Sequence, residues 1–166
     1  MHYYDLYESP QGRMLLVADE EGLSGIYFDG QKYLPRVDPD WRRDARHAPL
    51  HQAKRELSEY FGGERKRFES PLAPEGTPFQ QSVWKAISTV AFGKTITYSE
   101  LALRAGCPGS ARAAGAATGR NPISIIVPCH RIVGSNGSLT GYAGGLDRKR
   151  ALLALESGIP ELLAAA

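Results

Sequence analysis

Residues 97–119 read TYSELALRAGCPGSARAAGAATG, and this stretch decides the architecture of the second half of the chain. Thr97, followed three residues later by Glu100, is a capping-box pattern that opens a helix through Leu101 and Leu103, stopped near Gly106. Cys107-Pro108-Gly109 is a tight turn, and Ser110 can cap a second helix, ARAAGAATG, made almost wholly of small residues. Two short helices joined by a Gly/Pro turn predict a helix-turn-helix. Small side chains let the second helix approach another surface closely. Tight packing within the protein and entry into a DNA groove both fit that composition.

Upstream, Thr77-Pro78-Phe79-Gln80 places an N-cap, a first-turn proline and an N3 glutamine ahead of Val83, Trp84 and Ile87, predicting a helix to about Ala91 before Gly93. Downstream, the apolar run Ile123-Ser124-Ile125-Ile126-Val127 lies between Pro122 and Pro128 and reads as a short buried strand or extended segment, ending at Cys129 and His130. A glycine-rich loop, SNGSLTGYAGG (135–145), follows. A helix from Asp147 then carries Arg148, Lys149 and Arg150 ahead of Leu152, Leu153, Leu155 and Glu156, and the closing ELLAAA is expected to fray.

The first 30 residues alternate apolar runs with Pro/Gly and Glu/Gly turns, the outline of a three-strand meander. Residues 31–48 are a polar loop, and Pro49–Phe61 has helical spacing with Gly62-Gly63 as its stop. ERKRFESPLAPEG (64–76) reads as a linker. The expectation is an α+β protein with a small sheet-plus-helix scaffold over 1–76 and a mainly helical C-terminal domain over 77–166. Nothing in the first half suggests chemistry, and His2, His47 and His51 read as surface or packing histidines.

The 166 residues are 42% hydrophobic and 23% charged, which excludes collagen-like and disordered readings. No apolar run reaches the roughly 18 residues of a membrane span, and MHYYDLYES lacks the features of a signal peptide, so a cytoplasmic protein is expected. Two cysteines, Cys107 and Cys129, cannot build a disulfide framework or a four-cysteine zinc site. The net charge of +2 divides unevenly. Residues 1–76 hold 11 Lys/Arg against 14 Asp/Glu, whereas residues 77–166 hold 9 against 4, so a polyanion such as nucleic acid would meet the second half.

A free thiol is only a few per cent ionised at neutral pH, so a nucleophilic cysteine needs a base or a positive environment. His130 is adjacent to Cys129 and can take the proton directly or through a water, provided the backbone turns there, and a carboxylate on the far imidazole nitrogen would complete a relay. A small buried residue beside a structural histidine fits the bare dipeptide as well.

Pro128-Cys129-His130-Arg131, preceded by Asn121-Pro122-Ile123 and followed by Gly141-Tyr142-Ala143-Gly144-Gly145, closely resembles the O6-alkylguanine-DNA alkyltransferases, also called methylated-DNA–protein-cysteine methyltransferases. The resemblance runs from about Thr77 to Glu156 through Phe79-Gln80, Val83-Trp84, Tyr98, Ala111-Arg112-Ala113 and Leu152-Leu153. It implies an RNase H-like first domain and a winged helix-turn-helix in the second. It further implies single-turnover DNA repair, with Cys129 taking the alkyl group of a flipped O6-alkylguanine and O4-alkylthymine a further candidate substrate. His130 would draw the thiol proton, with Glu156 behind it. Tyr98 would assist the leaving base, and Asn121 would hold the turn before the active-site segment. Backbone groups of Cys129, Ile132 and Ala143, with Tyr142 lining the pocket, would recognise the base. Arg112 would fill the vacated stack from the minor groove, and Ser99 and Ser135 would touch phosphates. Arg104 and Arg120 would add charge without a motif.

Zinc-containing relatives use cysteines in the first half; none occurs here, so neither metal nor cofactor is expected. The partner implied is duplex DNA carrying the lesion, met by a monomer away from any membrane. Thr118, Ser124 and Ala143 are small choices that would admit adducts larger than methyl. Three rivals compete: a lesion sensor, which would lack the acceptor cysteine; a cysteine hydrolase, for which no oxyanion hole is legible; and a transcription regulator, which would leave Cys129-His130 unexplained.

Overall fold

The computed structural model describes residues 1–158, so the closing ELLAAA lies outside the described residues. The first half is the expected meander: β1 (Tyr3–Ser9), β2 (Gly12–Ala18) and β3 (Leu23–Phe28) pair antiparallel. Ser9 faces Gly12 across the first turn, where Gly12 takes φ +109°, a conformation that disfavours a side chain. In the second turn the Asp19 carboxylate accepts from the amides of Glu21 and Gly22 at 2.7 and 3.0 Å. The polar loop predicted over 31–48 contains one short strand, β4 (Arg42–Arg43), which pairs parallel with β1 and completes the sheet order β3-β2-β1-β4. Helix α1 (Ala48–Phe61) packs on the sheet through Leu50, Ala53, Leu57 and Tyr60.

In the second half, α2 (Pro78–Ile87) carries the full Thr77/Gln80 capping box but ends before the predicted Ala91. Ser88 and Thr89 terminate it, their hydroxyls donating to the carbonyls of Trp84 and Ala86 at 3.1 and 2.6 Å, so the last turn tightens ahead of Gly93. Short strand β5 (Ile96–Thr97) leads into α3 (Tyr98–Arg104), and α4 (Ala111–Gly119) completes the helix-turn-helix. Thr97 accepts from the Glu100 amide at 3.2 Å, while the Glu100 carboxylate turns to Arg104 instead of closing the box. Ser110 holds the N-cap position of α4 without a side-chain cap bond. On α4, Ala114, Ala117 and Thr118 are buried, with the Trp84 indole donating to the Ala117 carbonyl at 2.9 Å, whereas Arg112, Ala113 and Ala116 are exposed. The small residues thus pack one face and leave the other open.

Residues 123–127 do not form the predicted strand. Ile123 makes a single bridge to Ile26 on the open edge of β3, where the Ile26 amide donates to the Pro122 carbonyl and the Ser124 amide to the Ile26 carbonyl. The chain then folds back, with the Val127 amide on the Ile123 carbonyl and Ile125 at φ +71°, a strained conformation for a β-branched residue. Asn121 holds this turn. Its carbonyl oxygen accepts from the Ile123 amide at 3.0 Å and its side-chain NH2 donates to the Val127 carbonyl at 2.8 Å. A three-residue 3-10 turn (Cys129–Arg131), β6 (Ile132–Val133) paired parallel with β5, the glycine loop and α5 (Leu146–Ser157) complete the described chain. The architecture is α+β with a sheet-plus-helix first half and a helix-turn-helix second half, and one apolar core runs through both.

Candidate functional site

In a 3-10 turn consecutive side chains are about 120° apart rather than the 180° of a strand. Cys129 and His130 lie in such a turn, so they do not point to opposite faces. Both are buried. Burial pushes the Cys129 thiol up, and Asn121 and the Lys149 ammonium oppose that shift.

Behind the thiol, His130 Nε2 lies 2.6 Å from Glu156 Oε2. A carboxylate accepts, so Nε2 carries the proton and Nδ1 is left as the bare, basic nitrogen. Nδ1 is buried and has no hydrogen-bond partner. Burial lowers the His130 pKa against the pull of Glu156, so the ring is neutral at physiological pH. Burial works to raise Glu156, but hydrogen bonds from His130 and Arg131, with the Arg131 charge, outweigh it and hold the carboxyl well below the usual range. Arg131 binds both carboxylate oxygens, at 2.8 and 3.0 Å, and also donates to the Val90 carbonyl at 2.7 Å. A third residue comes from α1, where the Tyr60 hydroxyl donates to Glu156 Oε2 at 2.6 Å.

Cys129 opens into a cleft of about 630 Å³ lined by Tyr98, Gly115, Tyr142 and Ala143 and, from the first half, by Lys32 and Tyr33. The Tyr142 hydroxyl is buried and unpartnered, and burial raises its pKa well above the ordinary phenol value. Below the glycine loop, the fully buried Lys149 donates to the carbonyls of Ile132 and Thr140 at 2.6 and 2.7 Å. It fastens the strand after the Cys129–Arg131 turn to the loop that carries Tyr142, and burial lowers its pKa to about 8.

Of the residues singled out from sequence, the structure brings Cys129, Tyr98, Tyr142 and Ala143 to one cleft and places His130 and Glu156 behind it. Asn121 supports the preceding turn. Ile132 does not line the cleft, and its carbonyl is taken by Lys149. Arg112, Ser99 and Ser135 are exposed, outside the cleft. Among the described residues no group of three or more His, Cys, Asp or Glu side chains is placed to hold a metal, and no helix is long and apolar enough to cross a membrane.

Sequence reasoning missed Tyr60, Arg131, Lys149, Lys32 and Tyr33. Tyr60 sits at ordinary core spacing on α1, and Lys149 is the middle of three basic residues that resemble a solvated face, so neither carries a local signal. The reading of the first half as free of chemistry is therefore corrected, because it supplies one carboxylate partner and part of the cleft wall. Not every cation of the second half is free to meet a polyanion. Arg131 and Lys149 are buried in internal bonds, and Arg148 donates to the carbonyls of Gln11 and Gly144, so these three cations join the protein to itself.

Residues 78–158 match the family model for the 6-O-methylguanine DNA methyltransferase DNA binding domain, and residues 2–74 match that for its ribonuclease-like domain. A methylated-DNA–protein-cysteine methyltransferase of Methanosarcina acetivorans is 50% identical over 154 residues, covering 93% of this chain and 97% of the relative. The Haemophilus influenzae protein of the same name is 45% identical, over 93% of this chain and 86% of its own. The crystal structure of Mycobacterium tuberculosis OGT in complex with DNA superposes with a TM-score of 0.88 at 41% identity, covering 98% of this chain and 99% of the other.

Proposed function

Because the chain belongs to the methylated-DNA–protein-cysteine methyltransferases, a family of DNA-repair enzymes that transfer an alkyl group from DNA to protein, we propose that Cys129 is the acceptor and is consumed in one turnover. The observation that carries this reading is the array of a buried thiol lining a cleft and an adjacent neutral histidine with its basic nitrogen unpartnered, held on its other nitrogen by a carboxylate.

The thiol proton passes to His130 Nδ1, directly or through one water, and the charge that develops on the imidazole is met by Glu156. The thiolate attacks the carbon on guanine O6 in line. An S–C bond forms, the C–O6 bond breaks with its electron pair going to the purine, the Tyr98 hydroxyl gives the departing base a proton, and the proton taken up by His130 returns through solvent to Tyr98. The product is unmodified guanine and a thioether at Cys129, a bond that water does not cleave readily, so the protein is used once; the displacement involves no redox change and needs no cofactor. O4-alkylthymine is a second substrate of the same chemistry.

The reactive carbon is shielded within a duplex, so the nucleotide must flip out, at a cost of a few kcal/mol. Arg112, the long cationic side chain on the open face of α4, fills the gap from the minor groove, with Ser99 and Ser135 on phosphates. Backbone groups of Cys129 and Ala143 read the base beside Tyr142, without Ile132, which lies outside the cleft. The chain acts as a monomer in the cytoplasm, through its 77–166 domain. Incubation with duplex DNA carrying radiolabelled O6-methylguanine will place one equivalent of label on the wild type and none on Cys129→Ala. Repeated turnovers, or no label on the wild type, would overturn the reading.

A further inference from the structure

The α4 and loop sides of the cleft are lined by small residues, Gly115, Thr118, Gly119, Gly141 and Ala143, so its shape is set by three aromatic rings, Tyr98, Tyr142 and Tyr33. The first two belong to the DNA-binding half. Tyr33 comes from the loop between β3 and β4, and three features hold it in place.

Gln31, itself buried, accepts from the Phe28 amide at 2.7 Å and donates to the Lys32 carbonyl at 3.2 Å, which stiffens the start of the loop. The Lys32 amide donates to the Ala143 carbonyl at 3.0 Å, tying this loop to the wall of the cleft. The guanidinium of Arg120, the residue after α4, lies over the Tyr33 ring at 4.0 Å from its centroid.

Tyr33 itself adopts φ +63°, a left-handed conformation that a bulky side chain rarely takes, yet it is half exposed. A strained aromatic residue on an exposed loop persists only where its surroundings over-determine it, and such positions cluster at ligand clamps. Packing within the protein does not account for Tyr33, because half of its surface faces solvent.

We infer that Tyr33, clamped by Arg120, is a specificity-determining wall of the acceptor cleft and limits the size of the adduct that can reach Cys129. The inference rests on Cys129 being the alkyl acceptor. Tyr33 touches the substrate's alkyl group or the rim of the flipped base and takes no part in proton transfer. The pocket then has a permissive side, built of small residues from the second half, and a restrictive side contributed by the first.

The test compares single-turnover transfer to Cys129 from one duplex carrying either O6-methylguanine or O6-benzylguanine, at saturating protein. The benzyl-to-methyl rate ratio cancels effects on DNA affinity and on the nucleophile. Tyr33→Ala should raise this ratio about tenfold, the scale on which pocket walls discriminate apolar groups. Tyr33→Trp should lower it, and Tyr33→Phe should leave it at the wild-type value. Arg120→Ala, which frees the ring, should shift it in the direction of Tyr33→Ala. If Tyr33→Ala fails to fold, judged by its unfolding midpoint, the Trp and Phe variants decide. A wild-type ratio in both the Ala and Trp variants, or in Trp alone when Ala does not fold, would overturn the inference while leaving Cys129 as acceptor. Absence of label on wild-type Cys129 would remove both.

Discussion

His130 has two nitrogens in opposite circumstances, and the difference fixes what it can do. Nε2 is bound to Glu156 and Nδ1 is bare, so the neutral ring is a base aimed away from its own carboxylate. Its pKa lies below the usual imidazole value because burial outweighs the stabilising charge of Glu156. The base is therefore unprotonated through neutral pH and is lost only as pH falls below the ordinary value of about 6.5. The unfolded chain binds a proton on this histidine at higher pH than the folded one, so stability falls over the same window, from the unfolded value down to the folded one. The first-order rate of alkyl transfer, measured from about pH 8 down to about pH 5, should stay level through the ordinary imidazole range and decline below it. A His130-dependent decline centred at or above the ordinary value would contradict the assignment. The dipeptide Cys129-His130 and its carboxylate partner are legible in the sequence through the motif. The tautomer is not, because it follows from which nitrogen the distant Glu156 reaches.

At the scale of the element, α4 resolves a choice that its composition leaves open. Ala114, Ala117 and Thr118 turn inward, and the Trp84 indole reaches the Ala117 carbonyl, so tight packing explains one face. Arg112, Ala113 and Ala116 face outward, and a helix with so little side chain on that side can approach a narrow groove. Gly115 sits between the two faces, where a methyl group would meet the Tyr98 ring at 3.5 Å, an ordinary contact. Gly115→Ala should therefore stabilise the protein to chemical denaturation by about 0.5–1 kcal/mol through helix propensity. A destabilised variant would show that the α4–Tyr98 spacing cannot accept the methyl. Turns carry less local signal than helices. The apolar run 123–127 looks like a strand, but Asn121 binds both of its ends and folds it back on itself. The family resemblance implies a turn held by Asn121, while which backbone groups its amide captures depends on how the chain returns.

Across the whole molecule, the two halves share more than an interface. The open edge of β3 pairs with Pro122 and Ser124, Arg148 reaches back to the Gln11 carbonyl, and Tyr60 of α1 binds the carboxylate of Glu156. Apolar residues of both halves belong to one cluster. Such cross-bonding couples their unfolding, so denaturation should be a single transition. Fluorescence of a Trp41→Phe variant, which reports Trp84 in the second half, should coincide with that of Trp84→Phe, which reports Trp41 in the first, when each is compared with its own far-UV circular dichroism. Separate transitions for the two probes within either variant would show independent domains.

The sequence by itself determined the local chemistry: the meander, the helix starts, the helix-turn-helix and the acceptor motif all depend on residues within a few positions of one another, where capping, turn and periodicity rules operate. Only the tertiary structure decided which charges face solvent and which are consumed inside. Arg131 and Lys149 look alike to Arg112 in a charge count, yet the first two are buried against a carboxylate and backbone carbonyls while Arg112 lies on an exposed face. It also decided that the first half reaches the site, through Tyr60 and Tyr33. Burial and pairing across such separations depend on how the whole chain closes, and no local spacing encodes them.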